Sequence, residues 1–168
     1  QRHLQKKLKR LKGLQKSLSR KQKGSKNREK ARMKLAIQHY HVTCSRDDFL
    51  HKLTTYLAEE FALIVIESLN VPGMMKNHKL AQALADASFG KLSKLLTSKA
   101  EVTGAKVVSV GMFFPSSKRC SQCHHIKDDL TLSDRVYTCL NCGMVCDRDL
   151  NASINILHEA IRLSESSP

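Results

Sequence analysis

Two Cys-x-x-C pairs, Cys120/Cys123 and Cys139/Cys142, limit what this chain can fold into more than any other feature. Thiolates two residues apart on a tight turn can both reach one tetrahedral ion, and a second such turn after fifteen intervening residues supplies the other two ligands. The spacing predicts a structural Zn²⁺ site of four cysteines, a zinc ribbon whose interior, DLTLSDRVYTC (129–139), forms a short hairpin arm. Cys44 and Cys146 lie outside the pattern, which favours metal ligation over disulfides. His124 and His125 directly follow the first pair, so a site of three cysteines and one histidine stays open as the minor alternative. Cys146 as a substitute ligand is another.

The charge is as unevenly placed as the cysteines. Residues 1–34 hold fifteen Lys and Arg against one acid, Glu29, whereas the remaining residues carry equal numbers of each sign, so the net charge of +14 sits in one arm. Such an arm fits phosphate binding with counterion release, and Lys6, Lys7, Lys9, Arg10, Lys12, Lys16, Arg20, Lys21, Lys23, Lys26, Arg28 and Lys30 are the candidate nucleic-acid contacts. A solvated helix face is the bland alternative. Leucines at 4, 8, 11, 14 and 18 predict an amphipathic helix over Gln1–Lys23, and Gly24-Ser25-Lys26-Asn27 breaks it, with Asn27 as N-cap of a second helix over Arg28–Glu60. Leu35, Val42, Phe49, Tyr56 and Leu53 form the expected seam of an antiparallel helical hairpin, residues 1–60.

At Phe61 the period changes. Phe-Ala-Leu-Ile-Val-Ile (61–66) reads as a strand buried on both faces, closed by Glu67 at its C-terminal end, where open α/β sheets hold their chemistry. Asn70–Gly73 reads as a turn, followed by a polar loop through Lys79. A helix over Leu80–Thr103, weakened by Gly90 and stopped by Gly104, then leads to a second strand, Ala105–Val110. Residues 61–114 are thus a strand-helix-strand unit with parallel strands. Phe113 and Phe114 are expected to anchor the ribbon, 115–146, to the sheet. A terminal helix over 147–163 has Asp149 as its N-cap and Ala152, Ile156, Ala160 and Leu163 on its apolar face; 164–168 is read as a disordered tail. Capping alone would account for an Asp there, and an exposed strand end would account for Glu67.

No run of eighteen apolar residues occurs, and the basic start lacks an apolar core of the signal-peptide type, so no membrane partner and a cytoplasmic, nucleoid-associated prokaryotic protein are expected. A start at Gln1 rather than Met predicts an excised or processed piece.

Three stretches, IVIESLNVPGMMKNHKLAQALADASFGKL, VVSVGMFFPSSKRCSQC and YTCLNCGMVCDRDLNASINIL, together with the basic hairpin, resemble in order the C-terminal half of the TnpB proteins. These are transposon-encoded, RNA-guided DNA endonucleases related to the type V CRISPR effectors. The resemblance implies a partial ribonuclease H-like (RuvC-type) α/β domain with an inserted zinc ribbon. It also implies a Mg²⁺-dependent trio of carboxylates, of which Glu67 matches the I-E-x-L-N motif and Asp149 the D-R-D-x-N-A motif, with Asp147 as rival. The family's first Asp precedes the basic hairpin and has no counterpart in these 168 residues, so no cleavage is expected from this chain alone. Ser68, Gly111-Met112 and Cys146 depart from the family's usual Asp, Asp-Arg and His. Implied partners are DNA and a guide RNA, and the implied process is transposition. The competing reading is a non-enzymatic, nucleic-acid-binding truncated transposon product.

Overall fold

The computed structural model describes residues 2–76, 88–131 and 133–165. The chain divides into two compact units, Gln1–Tyr56 and Leu57–Pro168.

The first unit is built from helix α1 (Arg2–Ser19) and most of α2 (Lys26–Glu60). Leu8, Leu11, Leu14 and Leu18 are half-buried, as their spacing predicts, and the cations between them face solvent. Polar ties fix the antiparallel pairing: the Gln38 amide donates to the Lys7 carbonyl at 3.1 Å, and Lys7 donates to Ser45 Oγ and, at 3.5 Å, to the His41 carbonyl. Helix α2 starts one residue before the expected cap. Ser25 is the cap instead, its Oγ accepting from the Arg28 N–H at 3.2 Å, because Ser25 is the last residue before the backbone turns helical. The expected seam also moves. Val42 is buried, but Phe49 and Tyr56 are exposed, and the buried line along α2 runs through Gln38, Val42, Leu50 and Thr54. Positions seven apart drift only about 20° around a straight helix, so the shift follows from what packs opposite each stretch of α2 and not from the repeat itself.

The second unit centres on a parallel pair, β1 (Leu63–Glu67) with β2 (Lys106–Val110), in the register Ile64↔Val107 through Glu67↔Val110. Between them lie a short helix α3 (Val71–Met75) and helix α4 (Phe89–Thr103). The predicted turn at 70–73 is the first turn of α3, started by Asn70, whose Oδ1 accepts from the Gly73 N–H at 3.0 Å. The first part of the predicted 80–103 helix lies outside the described residues. Gly90 falls in the first turn of α4 rather than its middle, and Gly104 ends it in the left-handed conformation (φ +81°), with its N–H donating to Ala100 O at 2.9 Å. The last helix, α5 (Arg148–Glu165), packs on both β1 and β2 and runs through the first two residues of the predicted tail. Ile64, Leu96, Ala100, Val110 and Ala160 make the buried apolar set of these elements. Burying a side chain such as Leu96 contributes about 1.5 to 3 kcal/mol.

The ribbon is a separate small core. Strand β3 (Val136–Thr138) pairs antiparallel with β4 (Val145–Asp147) across the second Cys-x-x-C turn, and an isolated Arg119↔Ile126 bridge spans the first. The predicted hairpin arm inside 129–139 is replaced by this pairing, because each cysteine turn is itself a hairpin tip. Phe113 is 92% exposed and anchors nothing, whereas Phe114 is half-buried beneath the Arg119 guanidinium, 5.8 Å from its ring centre.

Candidate metal centre and carboxylate site

Both cysteine turns follow one local design. The His124 N–H donates to the Cys120 carbonyl at 3.0 Å and the Cys120 N–H to the His125 carbonyl at 2.8 Å; Gly143 and Met144 make the same two bonds with Cys139, at 3.0 and 2.8 Å. Folding back so tightly requires a left-handed residue after the second cysteine, and the two such residues are His124 (φ +64°) and Gly143 (φ +74°). Glycine takes that shape freely, and histidine is among the side chains that tolerate it. His124 is therefore a turn residue.

The four sulfurs meet. All Sγ atoms lie within 4.8 Å of one another, with Cys120–Cys142 at 3.7 Å and Cys123–Cys139 at 3.5 Å. Thiolates about 2.3 Å from a tetrahedral Zn²⁺ stand about 3.8 Å apart, so the set fits the ion. Among the described residues no histidine or carboxylate joins this group. The Asn141 amide donates to Cys123 Sγ at 3.5 Å and, with the backbone near His125, brings that thiol down to about 6. Cys142 is helped by the Met144 backbone, yet burial and the three neighbouring sulfurs push it up to about 12. Four anions this close repel one another, and a divalent cation removes the conflict. Beneath them Tyr137 is fully buried, its hydroxyl donating to Lys118 O at 3.1 Å, and burial, followed by the nearby thiols, raises it to about 12. Cys146 packs against the same cluster with its thiol raised by burial, outside the four-sulfur set.

The D-R-D-x-N-A stretch, where β4 runs straight into α5, divides its tasks by position. Asp147, not Asp149, caps the helix: its Oδ1 accepts from the N–H groups of Asp149 (2.9 Å) and Leu150 (3.0 Å). Asp149 sits in the first helical turn, its side chain 73% exposed and bonded to Arg148 at 3.0 Å. Its carboxylate is thus spared from holding the helix together. On the opposite face, Asn151 is fully buried, accepting from the Ser121 N–H at 2.9 Å and donating to Arg119 O at 2.7 Å. Asn155, one turn on, is 2% exposed and donates to Ser116 O at 2.9 Å and Arg119 O at 2.6 Å. The buried stripe of α5 is therefore Asn151, Asn155 and Ala160, whereas Leu163 is exposed. Apolar periodicity passes over this stripe; two Asn four residues apart on one helix face are the signal that finds it.

Glu67 ends β1 opposite Val110, half-buried, and its carboxylate makes no hydrogen bond or ion pair among the described residues. It lines a cavity of about 640 Å³ with Ile66, Ser68, Ser109 and, from α4, Phe89 and Lys94. Ser68 and Ser109 close the strand ends through a 2.6 Å hydroxyl pair. Of the twelve candidate phosphate contacts, Lys6, Lys9, Arg10, Lys12, Lys16, Arg20, Lys21, Lys23, Lys26 and Lys30 are exposed. Lys7 and Arg28 are half-buried and committed to structure; Arg28 donates to the carbonyls of Leu18 (3.2 Å) and Lys21 (3.0 Å), satisfying the C-terminal end of α1.

Residues 1–78 match the family described as probable transposase, OrfB of the IS605 type, and residues 89–156 match the Cas12f1-like TNB domain. A candidate RNA-guided DNA endonuclease of Streptomyces pristinaespiralis is 45% identical over 155 residues, covering 92% of this chain and 38% of the relative. The corresponding InsQ protein of Escherichia coli K12 is 32% identical, over 91% of this chain and 42% of its own length. A TnpB-like protein of Acanthamoeba polyphaga mimivirus is 33% identical, over 82% and 27%. The fold matches Cas12f1, solved in a complex with sgRNA and target DNA, with a TM-score of 0.64, 18% identity and coverage of 88% of this chain and 40% of that one. The chain belongs to the TnpB-like family, and it spans about 38% of the length of its Streptomyces relative. No described helix is long and apolar enough to cross a membrane.

Proposed function

We propose that this chain is the RuvC-like nuclease and zinc-ribbon portion of an RNA-guided DNA endonuclease, with Glu67 and Asp149 as catalytic carboxylates. The observation that carries the reading is the division of labour at the start of α5: Asp147 satisfies the helix end, which leaves the Asp149 carboxylate at the surface. Its helix packs on the strand that Glu67 terminates, and Glu67 has no competing partner among the described residues. Two accessible oxygen donors of this kind suit Mg²⁺, which prefers carboxylates and keeps several of its waters. When bound between acidic groups, such ions activate water and stabilise the leaving oxygen of a phosphodiester. Glu67 and Asp149 would hold them, the four cysteines would hold a structural Zn²⁺, and the exposed cations of residues 1–34 would carry the phosphate backbone of DNA or guide RNA. A third carboxylate of the family's trio has no match in these 168 residues, so the separate chain does not cut.

The decisive experiment replaces the corresponding portion of the Streptomyces relative with this chain. The hybrid, given that relative's guide RNA, should cleave target DNA with Mg²⁺, and either Glu67→Gln or Asp149→Asn should abolish cleavage while zinc content stays at one per chain. Cleavage that persists in both variants removes these two residues from the chemistry. The charge of the first 34 residues favours a second reading, a nucleic-acid-binding product without catalysis. Salt-dependent binding by the separate chain that is unchanged in both variants, together with an inactive hybrid, would select it.

A further inference from the structure

We propose that Asn151 and Asn155 are positioning residues through which the first cysteine turn sets the start of α5, so that metal in the four-sulfur site governs the placement of Asp149. The importance of that placement rests on the nuclease reading above; the mechanical tie does not.

The geometry is a clamp with two jaws. One is covalent and short: Cys139 closes its turn on Met144, β4 begins at Val145, and its last residue, Asp147, caps the helix that carries Asp149. The other reaches thirty residues or more back along the chain. Asn151 bonds Ser121 N–H and Arg119 O, the groups immediately flanking Cys120, and Asn155 bonds Arg119 O again together with Ser116 O. Arg119 O thereby accepts from both asparagines, at 2.7 and 2.6 Å, with both amide side chains nearly removed from solvent.

Buried amides that serve only to fill a core leave donors and acceptors to be satisfied and gain nothing over Leu or Ala. Here the planar amide of Asn151 presents an acceptor and a donor together, matched to one N–H and one C=O of the same turn. That pairing is a register lock: it holds only when Arg119–Ser121 has the conformation that Cys120 and Cys123 require to share an ion. Without the ion only the turn's own two backbone bonds, His124 N–H to Cys120 O and Cys120 N–H to His125 O, hold that conformation, and both jaws loosen at once. The ribbon is therefore a brace for the carboxylate-bearing helix start as well as a fold of its own.

The test uses the zinc-loaded chain and compares amide hydrogen exchange with paramagnetic broadening by Mn²⁺. In Asn151→Ala, zinc should remain at one per chain, while the Asp149 and Leu150 amides exchange on the order of ten- to a hundred-fold faster, as expected when buried polar partners lose their hydrogen bonds. Broadening at Asp149 should then require at least about ten-fold more Mn²⁺, one decade corresponding to about 1.4 kcal/mol. Asn151→Asp keeps an oxygen acceptor for Ser121 and should fall between, a gradation that a general loss of packing would not produce. Should Asn151→Ala lose its zinc, Asn155→Ala makes the same comparison with the Asn151 contacts in place. Faster exchange at Ser121 with unchanged Asp149 and Leu150 overturns the proposal. An absence of Mn²⁺ broadening in the unmodified chain would instead count against the nuclease reading, and the exchange data would still decide the tie.

Discussion

The helical hairpin and the ribbon solve the same problem, too little apolar core, in opposite ways. Along α1, Leu8, Leu11, Leu14 and Leu18 are only half-buried, and order comes from two long hydrogen-bonded helices with a few polar ties; the ribbon has little regular structure but, with the start of α5, buries Tyr137, Cys120, Cys139, Asn151 and Asn155 almost completely. A structural Zn²⁺ contributes on the order of 10 kcal/mol in a small domain. Nothing of that size is concentrated at one point of the hairpin. The ribbon should therefore fail all at once and the hairpin by degrees. The difference also separates their work: one region displays charge and tolerates change, while the other holds a geometry.

The largest effect expected is from removing the metal. Cys139→Ser or a strong chelator should abolish zinc binding and collapse chemical-shift dispersion for residues 116–147, while helical circular dichroism from residues 2–56 persists; joint loss of both would break the contrast. Next comes the ribbon's aromatic floor. Tyr137→Ala should destabilise the second unit by about 3 to 5 kcal/mol, as buried aromatic truncations do. Tyr137→Phe, which loses only the bond to Lys118 O, should cost about 1 kcal/mol in thermal or denaturant unfolding.

Within the hairpin the contrast sharpens between cations of two kinds. Arg28→Ala should cost about 1 kcal/mol, because the Lys21 carbonyl loses the guanidinium donor and the Leu18 carbonyl keeps only the Lys21 N–H. Changing Lys9, Lys16 and Arg20 together to Gln should leave stability within about 0.5 kcal/mol. The same triple change should flatten the salt dependence of duplex binding by about 2.7 in the log–log slope, if all three meet phosphates.

The smallest effect is confined to pH. With Cys123 depressed to about 6, its thiolate contribution is in place above the ordinary thiol range and is lost as pH falls through about 6. In the metal-free chain Cys123 should therefore be alkylated before Cys142 at pH 7, read by peptide mass spectrometry. Zinc should be released at a pH lower than that at which the metal-free Cys123 thiol takes up its proton, because the ion competes with the proton for the sulfur, with hairpin helicity unchanged.

Several elements were legible in the residues themselves. The four thiols converge because each pair is fixed within its own turn, and the helix stop at Gly104 and the parallel strand pair follow from short-range patterns. The expectations that moved have two causes. Phe49 and Tyr56 were placed by a seven-residue repeat and Phe113 by its apolar character, and the burial of each depended on what lay opposite; Asp149 was placed by its proximity to the helix, which starts one residue earlier and takes its cap from Asp147.

What the chain's order of residues determines alone is local and electrostatic: where four sulfurs can be brought together, where charge accumulates, and which stretches form strands and helices. Which face of α5 is buried was decided by contacts spanning thirty residues or more, such as Asn151 to Ser121, whereas the cap at Asp147 is closed by N–H groups two and three residues further on. The physical reason is that a turn closes over four residues whatever surrounds it. A buried amide acquires its role only from the donor or acceptor that the rest of the fold sets before it.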